Sequence, residues 1–566
     1  MAKAVCSKCG SNELFIDIPP LPTPAQEAEV IALLRTNLPA PLQIHTALDE
    51  GIQALKEYDD SIQKITEYLH KRISEREKLA LHLDRIRSSF TSPIRRLPQE
   101  LLVDILGRLR PSIYDPGPNY FDFSSVQFEL DRLAKRPLLV LSQVCAVWHQ
   151  IIMGTPSLWA AILVRMDQWP NADSRGPCQD SRRHLDLIST SLMRSADFPL
   201  AIWISSRREP DEGLHKLIGL LIGHASRWRD VRLSLLPFLH NVLKNTPFPM
   251  LHRLELGLEA HTTGSTSSSA IDLASSMPAL QTLSYTGTVE SIPSVQWDRL
   301  KSLIYIGRDL RWDHAGFFRL PWQSLKPGST LKLVFSDYRI APDFKAPALV
   351  QSQIAILSCT LGSYIIHADR LLAAIFQSLH LPFLRILQLI GIADLAWNDV
   401  QFAALAQRSG FSRTLVSLRI DLVITTAQVL DALSLLAALE ELHLIDYWSS
   451  NTVDPAITDE FFNGLQREDS ENGLLVPRLH HLQLLARGCF SKEAILNFLP
   501  SRLDLSPSES PFHLVLRYVH EHTECAFKPD EAFWKQMRQW KMGQALNYDV
   551  IGMPEVRRFD YGLSDL

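Results

Sequence analysis

The feature that most restricts what this 566-residue chain can fold into is a short apolar pattern that keeps returning from Trp228 onward. Apolar-x-x-apolar-x-apolar occurs at Trp228/Val231/Leu233, Leu251/Leu254/Leu256, Leu280/Leu283/Tyr285, Leu300/Leu303/Tyr305, Leu384/Leu387/Leu389, Leu415/Leu418/Ile420, Leu439/Leu442/Leu444 and Leu479/Leu482/Leu484. Weaker versions stand at Leu331/Leu333 and Ile354/Ile356. Residues two apart share one side of an extended chain, so each occurrence predicts a short strand with one apolar side. The starts are separated by 23, 29 and 20 residues in the first four and by 31, 24 and 40 in the last four, which leaves room for a return segment after each strand. Helical returns are expected at 370–379, 399–407 and 427–436. A unit this small cannot bury its apolar side alone, but a stack of such units can.

The pattern resembles a degenerate leucine-rich repeat, with irregular spacing and mostly without the Asn or Cys that closes the standard motif. The resemblance implies an irregular leucine-rich-repeat α/β solenoid over 195–515, with an open strand face for a protein partner. The competing reading is a set of ordinary α/β strands. Face residues are expected at the x positions, among them His252, Arg253, Gln281, Thr282, Glu440, Glu441, His480 and His481. Beyond Arg517 the periodicity fails. There Phe533, Trp534, Trp540 and Met542 predict a terminal helix over the last repeat, and 516–566 reads as a cap and tail.

The N-terminal part reads differently. Residues 1–42 form a tail, expected to be partly disordered, with prolines at 19, 20, 22, 24, 39 and 41 around a short apolar run at 30–34. No proline falls between Gln43 and Phe90, and a seven-residue stripe runs through Leu48, Leu55, Ile62, Leu69, Arg76, Leu83 and Phe90. Ile52, Tyr58, Ile65, Ile73, Leu79 and Ile86 flank it. This predicts a long amphipathic, coiled-coil-like helix over 43–90. Asp59, Thr66 and Arg87 fall on the second seam counted from Ile52, so the helix either pairs with another chain, as in a dimer, or folds back on the next domain. Thr91-Ser92-Pro93 closes it.

The next segment, Ile94-Arg95-Arg96-Leu97-Pro98-Gln99-Glu100-Leu101-Leu102-Val103-Asp104-Ile105-Leu106-Gly107-Arg108-Leu109, puts Pro98 in a first helical turn, where its missing N–H costs nothing. Glu100 favours the positive end of the helix dipole. Apolar residues at 101, 102, 105, 106 and 109 share a face. A second stripe joins Leu141, Val144, Cys145, Trp148, Ile151 and Ile152 at helical spacing, and Leu158-Trp159 comes after Gly154-Thr155-Pro156. Leu-Pro-x-Glu-Leu-Leu, then Leu-x-x-Val-Cys-x-x-Trp and a closing Leu-Trp resemble the F-box, of the fungal type. That small three-helix module docks on a Skp-family adaptor and through it on a cullin. The resemblance covers 94–165 and implies a substrate receptor of a ubiquitin ligase that recruits a protein target. The competing function is a non-ligase scaffold built on the long helix and the repeats. Carried over position by position, Leu97, Pro98, Glu100, Leu101, Ile105 and Leu106 match the module's first half, and Leu141, Val144, Cys145 and Trp148 its second. In the family these positions divide between adaptor contact and internal packing. One departure is an enlarged loop at 111–137, which contains Phe121, Phe123 and Phe128. Lengthening a loop costs little, about 0.6 kcal/mol per doubling.

Composition bears on the remaining classes. With 57 basic and 62 acidic residues the net charge is -5, so no overall field draws the chain to nucleic acid or to an anionic membrane. Seven cysteines, scattered singly except for Cys6 and Cys9, do not form a disulfide framework, and no apolar secretory core opens the chain. Those signs predict a cytoplasmic or nuclear protein. Cys6-x-x-Cys9 has half the spacing of a zinc site, but without a second pair it reads as a solvated motif, and no cofactor is expected. No phosphate loop, nucleophile elbow or His-Glu-x-x-His helix occurs. His520-Glu521-His522 is too closely spaced for one helix face, 265–269 reads as a surface loop, and Cys145 reads as a small hydrophobe on an apolar helix face. An enzyme is not expected.

Overall fold

The computed structural model describes residues 23–36, 42–91, 93–109, 137–165, 179–205, 212–235, 239–258, 271–289, 292–307, 319–335, 349–362, 368–391, 395–446, 454–466, 468–469, 473–503, 511–519 and 527–553. Cys6, Cys9, the inserted phenylalanines at 121, 123 and 128, the serines at 265–269 and His520-Glu521-His522 lie outside them. The chain divides into two compact units between Leu102 and Val103.

In the first unit a short helix, Pro24–Thr36, precedes one of 50 residues, Leu42–Thr91. At 1.5 Å per residue the second is about 75 Å long. Its length follows from the missing prolines and from pairs along its surface, such as Gln63 with Glu67 at 2.9 Å and Arg72 with Glu75 at 3.0 Å. Pro93 opens the 3₁₀ turn Pro93–Arg96. Arg96 then donates to the carbonyl of Phe90 at 3.1 Å, satisfying one oxygen that the helix end leaves without a partner. The apolar stripe is open to solvent: Leu55 is 65% exposed, Ile62 59% and Phe90 72%.

The second unit is built on a sheet of 14 strands, all parallel, in which the order across the sheet is the order along the chain. They are β1 Ala161–Arg165, β2 Leu200–Ser205, β3 Trp228–Leu235, β4 Arg253–Leu258, β5 Thr282–Gly287, β6 Ser302–Gly307, β7 Thr330–Phe335, β8 Ile356–Leu361, β9 Ile386–Gly391, β10 Ser417–Asp421, β11 Glu441–Ile445, β12 His481–Ala486, β13 Phe512–Val519 and β14 Leu546–Met553. Each strand from β1 to β13 buries two residues two apart, and in register these stack into continuous rows. One row runs Leu254, Leu283, Leu303, Leu331, Leu357, Leu387, Leu418, Leu442, Leu482 and Leu514. All ten are buried.

The helices between strands are held from one to the next. Ala368–Ser378, Asp399–Ser409, Thr426–Ser434, Asp459–Gln466 and Lys492–Leu503 pack in sequence. Asn398 caps the second through the Gln401 N–H at 3.1 Å, and Thr425 and Gln428 form a capping box on the third. Gly410, at φ 70°, ends the second in a left-handed turn that other residues adopt poorly. Arg408 reaches back to the carbonyls of Phe376 and Leu379, and Arg502 to those of Leu465, Leu475 and Val476. Each arginine fixes its helix to an earlier segment with charge-assisted bonds.

The sheet corrects four expectations. It runs past both ends of 195–515, since β1 begins at Ala161 and β14 ends at Met553. The expected terminal helix exists as Glu531–Met542 but connects β13 to β14 rather than closing the chain. The weak pattern at Ile354/Ile356 is three residues out: Leu357 and Cys359 are the inward pair of β8, and Ile356 lies on its other side. Finally, the expected single helix through 141–152 is two, Pro137–Leu141 and Ala146–Gly154. Cys145 sits at the break with φ −160°, exposed, and not on an apolar helix face. No helix among the described residues is long and apolar enough to cross a membrane.

Candidate functional site

Two surfaces carry the residues singled out from the sequence or their neighbours. The first is the segment 94–165. Its opening helix is Gln99–Arg108, and Pro98 stands just before it, its carbonyl accepting the Leu102 N–H at 3.1 Å. Pro98 is therefore the cap residue rather than a member of the first turn. Glu100 lies in that first turn, as the dipole favours.

The helix has two unlike apolar sides. Leu102 and Leu106 are buried, Leu106 to 2%, whereas Leu101 is 51% exposed and Ile105 and Leu109 are both 41% exposed. Positions 101, 105 and 109 repeat every four residues and so succeed one another along the helix surface. Leu97 is half-buried.

Further along, Ser142 is buried and its hydroxyl donates to the Leu139 carbonyl at 2.7 Å. The N–H of Val144 bonds the Leu141 carbonyl, and the chain leaves the helix. Cys145 then caps Ala146–Gly154 through its own carbonyl, which accepts from His149 at 2.9 Å. Val140, Val144 and Val147 are all exposed, Val144 to 60%. Leu141 and Trp148 are half-buried, while Ile151 and Ile152 are buried. The closing Leu158-Trp159 has a structural role: Leu158 is buried, and the Trp159 indole N–H donates to the Ile152 carbonyl at 2.7 Å, under the guanidinium of Arg194. Ala161 begins β1 two residues later.

The F-box-like family model matches residues 94–165. The chain carries an F-box-like domain. The match fits the sequence resemblance in its bounds, and the domain's last five residues are the first strand of the sheet. No curated protein matches the chain.

The second surface is the face of the sheet opposite the leucine rows. The residue between the two inward positions of each strand forms one line across it, which includes Trp203, Arg232, Glu255, Ser284, Lys332, Arg419, His443 and Gln483. Arg232 pairs with Glu255 at 2.9 Å and lies over the Trp203 ring. Burial pushes the Glu255 carboxyl up, against the pull of Arg232 and Arg253, and pushes the Lys332 amine down, helped by Arg419. Arg419 stands 3.8 Å from Asp421 with both side chains nearly covered.

Beside them His443 stacks on His481 at 5.3 Å between ring centres, and His481 on His513 at 4.7 Å. Burial, then His481 and Arg419, hold His443 down at about 4, so its ring is neutral near pH 7. Arg419, His443, Gln483 and Arg517 line a shallow pocket floored by the strand backbone around Leu444 and Leu484. Asp446, just past the end of β11, is pushed up to about 6 by burial although Arg487 lies 3.3 Å away.

The expected face residues Arg253, Thr282, Glu441 and His481 open their strands on this same face, half-buried, and His252, Gln281, Glu440 and His480 immediately precede them. The pocket residues Arg419, His443 and Gln483 are x positions of the same pattern but were not singled out among them. The available signal was their place as the single residue between two inward apolar ones. Among the described residues no group of three or more His, Cys, Asp or Glu side chains is arranged to hold a metal ion. Of the line across this face Trp203, Ser284 and Arg419 are buried, whereas Arg232, Glu255, Lys332, His443 and Gln483 are half-buried.

Proposed function

We propose that this chain is the substrate-receptor subunit of a cullin-RING ubiquitin ligase. The F-box-like domain docks on a Skp-family adaptor, and the sheet binds the protein target. The observation that carries the reading is the helix Gln99–Arg108, whose one apolar side is buried while the other, Leu101 and Ile105, is open within a segment that the F-box-like model matches. An apolar row left open on a small helix is a docking surface in waiting. In this reading Leu97, Pro98, Glu100, Leu101, Ile105, Val144, Cys145 and Trp148 face the adaptor, and Leu106 and Leu141 pack the domain.

Strands that succeed one another in chain order, with returning helices and two inward apolar residues each, support a leucine-rich-repeat solenoid over 161–553. Its open face, with the half-buried Arg232, Glu255 and Gln483, holds the target. The chain then works by templating. It raises the concentration of target lysines near the charged ubiquitin carrier, and none of its own residues reacts. The setting is cytoplasmic or nuclear, where such ligases act.

Co-purification of the intact chain with a Skp-family adaptor tests this. The wild type is expected to capture the adaptor, and Leu101→Glu with Ile105→Glu to lose it at an unchanged melting temperature. Leu97→Ala with Pro98→Ala should weaken capture. Bound adaptor should shield Cys145, exposed in the free chain, from alkylation. If the intact chain captures no adaptor, the chain is a scaffold outside the ligase.

A further inference from the structure

The first unit contains a surface that the adaptor and target reading leaves unused. The stripe of Leu48, Leu55, Ile62, Leu69, Leu83 and Phe90 on the Leu42–Thr91 helix is exposed along its whole length. A stripe repeating every seven residues becomes a two-helix seam only with a companion series beside it. The companion lies three residues on: Gly51, Tyr58, Ile65, Arg72, Leu79 and Ile86, with Ile44 ahead of them. Counted this way the seam is apolar at every step except Gly51 and the pair Arg72 and Arg76. Asp59, Thr66 and Arg87 fall on its flank.

We propose that two copies of this chain pair through the Leu42–Thr91 helix as an antiparallel coiled coil centred on Glu67. The two arginines decide the direction. In a parallel pair Arg72 and Arg76 each meet their own copy across the seam, four like charges within one turn. In an antiparallel pair centred on Glu67, Arg72 faces Ile62 and Arg76 faces Tyr58 of the other copy. Asp59 of that copy then stands within one residue of level with Arg76, on the flank beside it. Arg72 is already laid along its own helix, its Nε donating to the Tyr68 hydroxyl at 2.7 Å and another nitrogen to Glu75 at 3.0 Å. That leans its charge to the flank away from Asp59 and leaves Arg76 as the arginine that Asp59 meets.

The same centre fits the rest of the seam. Leu48 faces Ile86, Leu55 faces Leu79, Ile65 faces Leu69, and Phe90 faces Ile44. Leu83 faces Gly51, where the absence of a side chain leaves room. Asp49 comes level with Arg85. Glu67 lies within one residue of the middle of the 50-residue helix, so nearly all of its length of about 75 Å overlaps. Before the centre five acidic residues stand against two basic, after it six basic against three acidic, so the two halves carry opposite net charge and attract when the copies run in opposite directions.

The test uses the full chain. Sedimentation of the wild type should give twice 64.1 kDa. In a Leu55→Cys, Leu79→Cys variant the two positions are about 36 Å apart on one helix. A disulfide joining 55 to 79, read by peptide mapping after mild oxidation, therefore links two copies and supports the antiparallel register. Bonds joining 55 to 55 or 79 to 79 overturn it, as does a monomer mass at every concentration. Arg76→Glu should raise the dimer dissociation constant about tenfold or more. Adding Asp59→Lys to the same chain should restore it, and failure to restore it overturns the register. None of these readings depends on adaptor binding.

Discussion

At the scale of single residues, the open face of the sheet is set by where charge is refused. His443 lies between two inward leucines, Leu442 and Leu444, and its ring is held neutral by burial and by the cations beside it. The unfolded chain binds a proton near the ordinary histidine value of 6.5, and the folded chain only at about 4. Stability from the neutral ring is thus complete above pH 6.5 and is lost as the pH falls toward 4. Asp446 works the other way. Its carboxyl, ordinarily near 3.8, is pushed up to about 6, so the folded chain keeps a proton that the unfolded chain releases, and that stability is lost as the pH rises from 3.8 to 6. Between pH 4 and 6 the two oppose each other, and the wild-type profile conceals both. Comparison with His443→Gln separates them, because Asp446 is common to both proteins. In urea unfolding measured at a series of pH values, the variant should gain on the wild type by about 1.4 kcal/mol per pH unit below 6.5, with no change above 7. A difference independent of pH would mean that the ring is solvated in the folded chain.

At the scale of elements, the helix Gln99–Arg108 shows what a sequence conveys and where it stops. Apolar residues at 101, 102, 105, 106 and 109 make the helix legible and the F-box resemblance strong. They do not say which side is packed, because both sides are apolar; that is settled only by what covers them. The burial makes a prediction with two parts. Leu106→Ala, at a site only 2% exposed, should cost about 2–5 kcal/mol in urea unfolding. Ile105→Ala, on the open side, should cost within about 0.5 kcal/mol. Equal costs would place both residues in one core. The break at Cys145 was hidden for a related reason. Apolar spacing through 141, 144, 145 and 148 imitates a helix, but the buried Ser142 hydroxyl satisfies the Leu139 carbonyl, and the next turn supplies its own bonds. The long helix was legible in its length and its first stripe. Its companion series was obscured because Gly51 and Arg72 interrupt it, while Ile52 starts a competing count that leads to a flank.

At the scale of the whole second unit, the sheet was legible wherever leucines marked both inward positions and illegible where they did not. At one edge, β1 reads Ala161-Ile162-Leu163-Val164, apolar on both sides and without the spaced pattern. At the other, β14 has Tyr548 and Val550 where the earlier strands have leucines. That second omission changes what the C-terminal residues are for. The helix Glu531–Met542 buries Phe533 and Met537 completely, and Phe533 meets Phe527 at 5.6 Å, which in turn meets Phe490 at 5.0 Å. Those rings continue the core of the strands before them. β14 in turn pairs with all eight residues of β13, so its removal would leave a long parallel strand with an open row of backbone donors and acceptors. Deleting 530–566 is therefore expected to give a chain that aggregates on expression or refolding, because it uncovers apolar rings and a sheet edge together. A cap and tail would come away harmlessly, leaving a monodisperse protein with an unchanged melting temperature. Size-exclusion chromatography of the truncated chain, read beside that of the intact one, separates the two cases. A milder variant, Phe533→Ala, checks the cause: it leaves β14 in place, and its loss of about 3–5 kcal/mol without aggregation would assign the stability to the rings and the aggregation to the exposed edge.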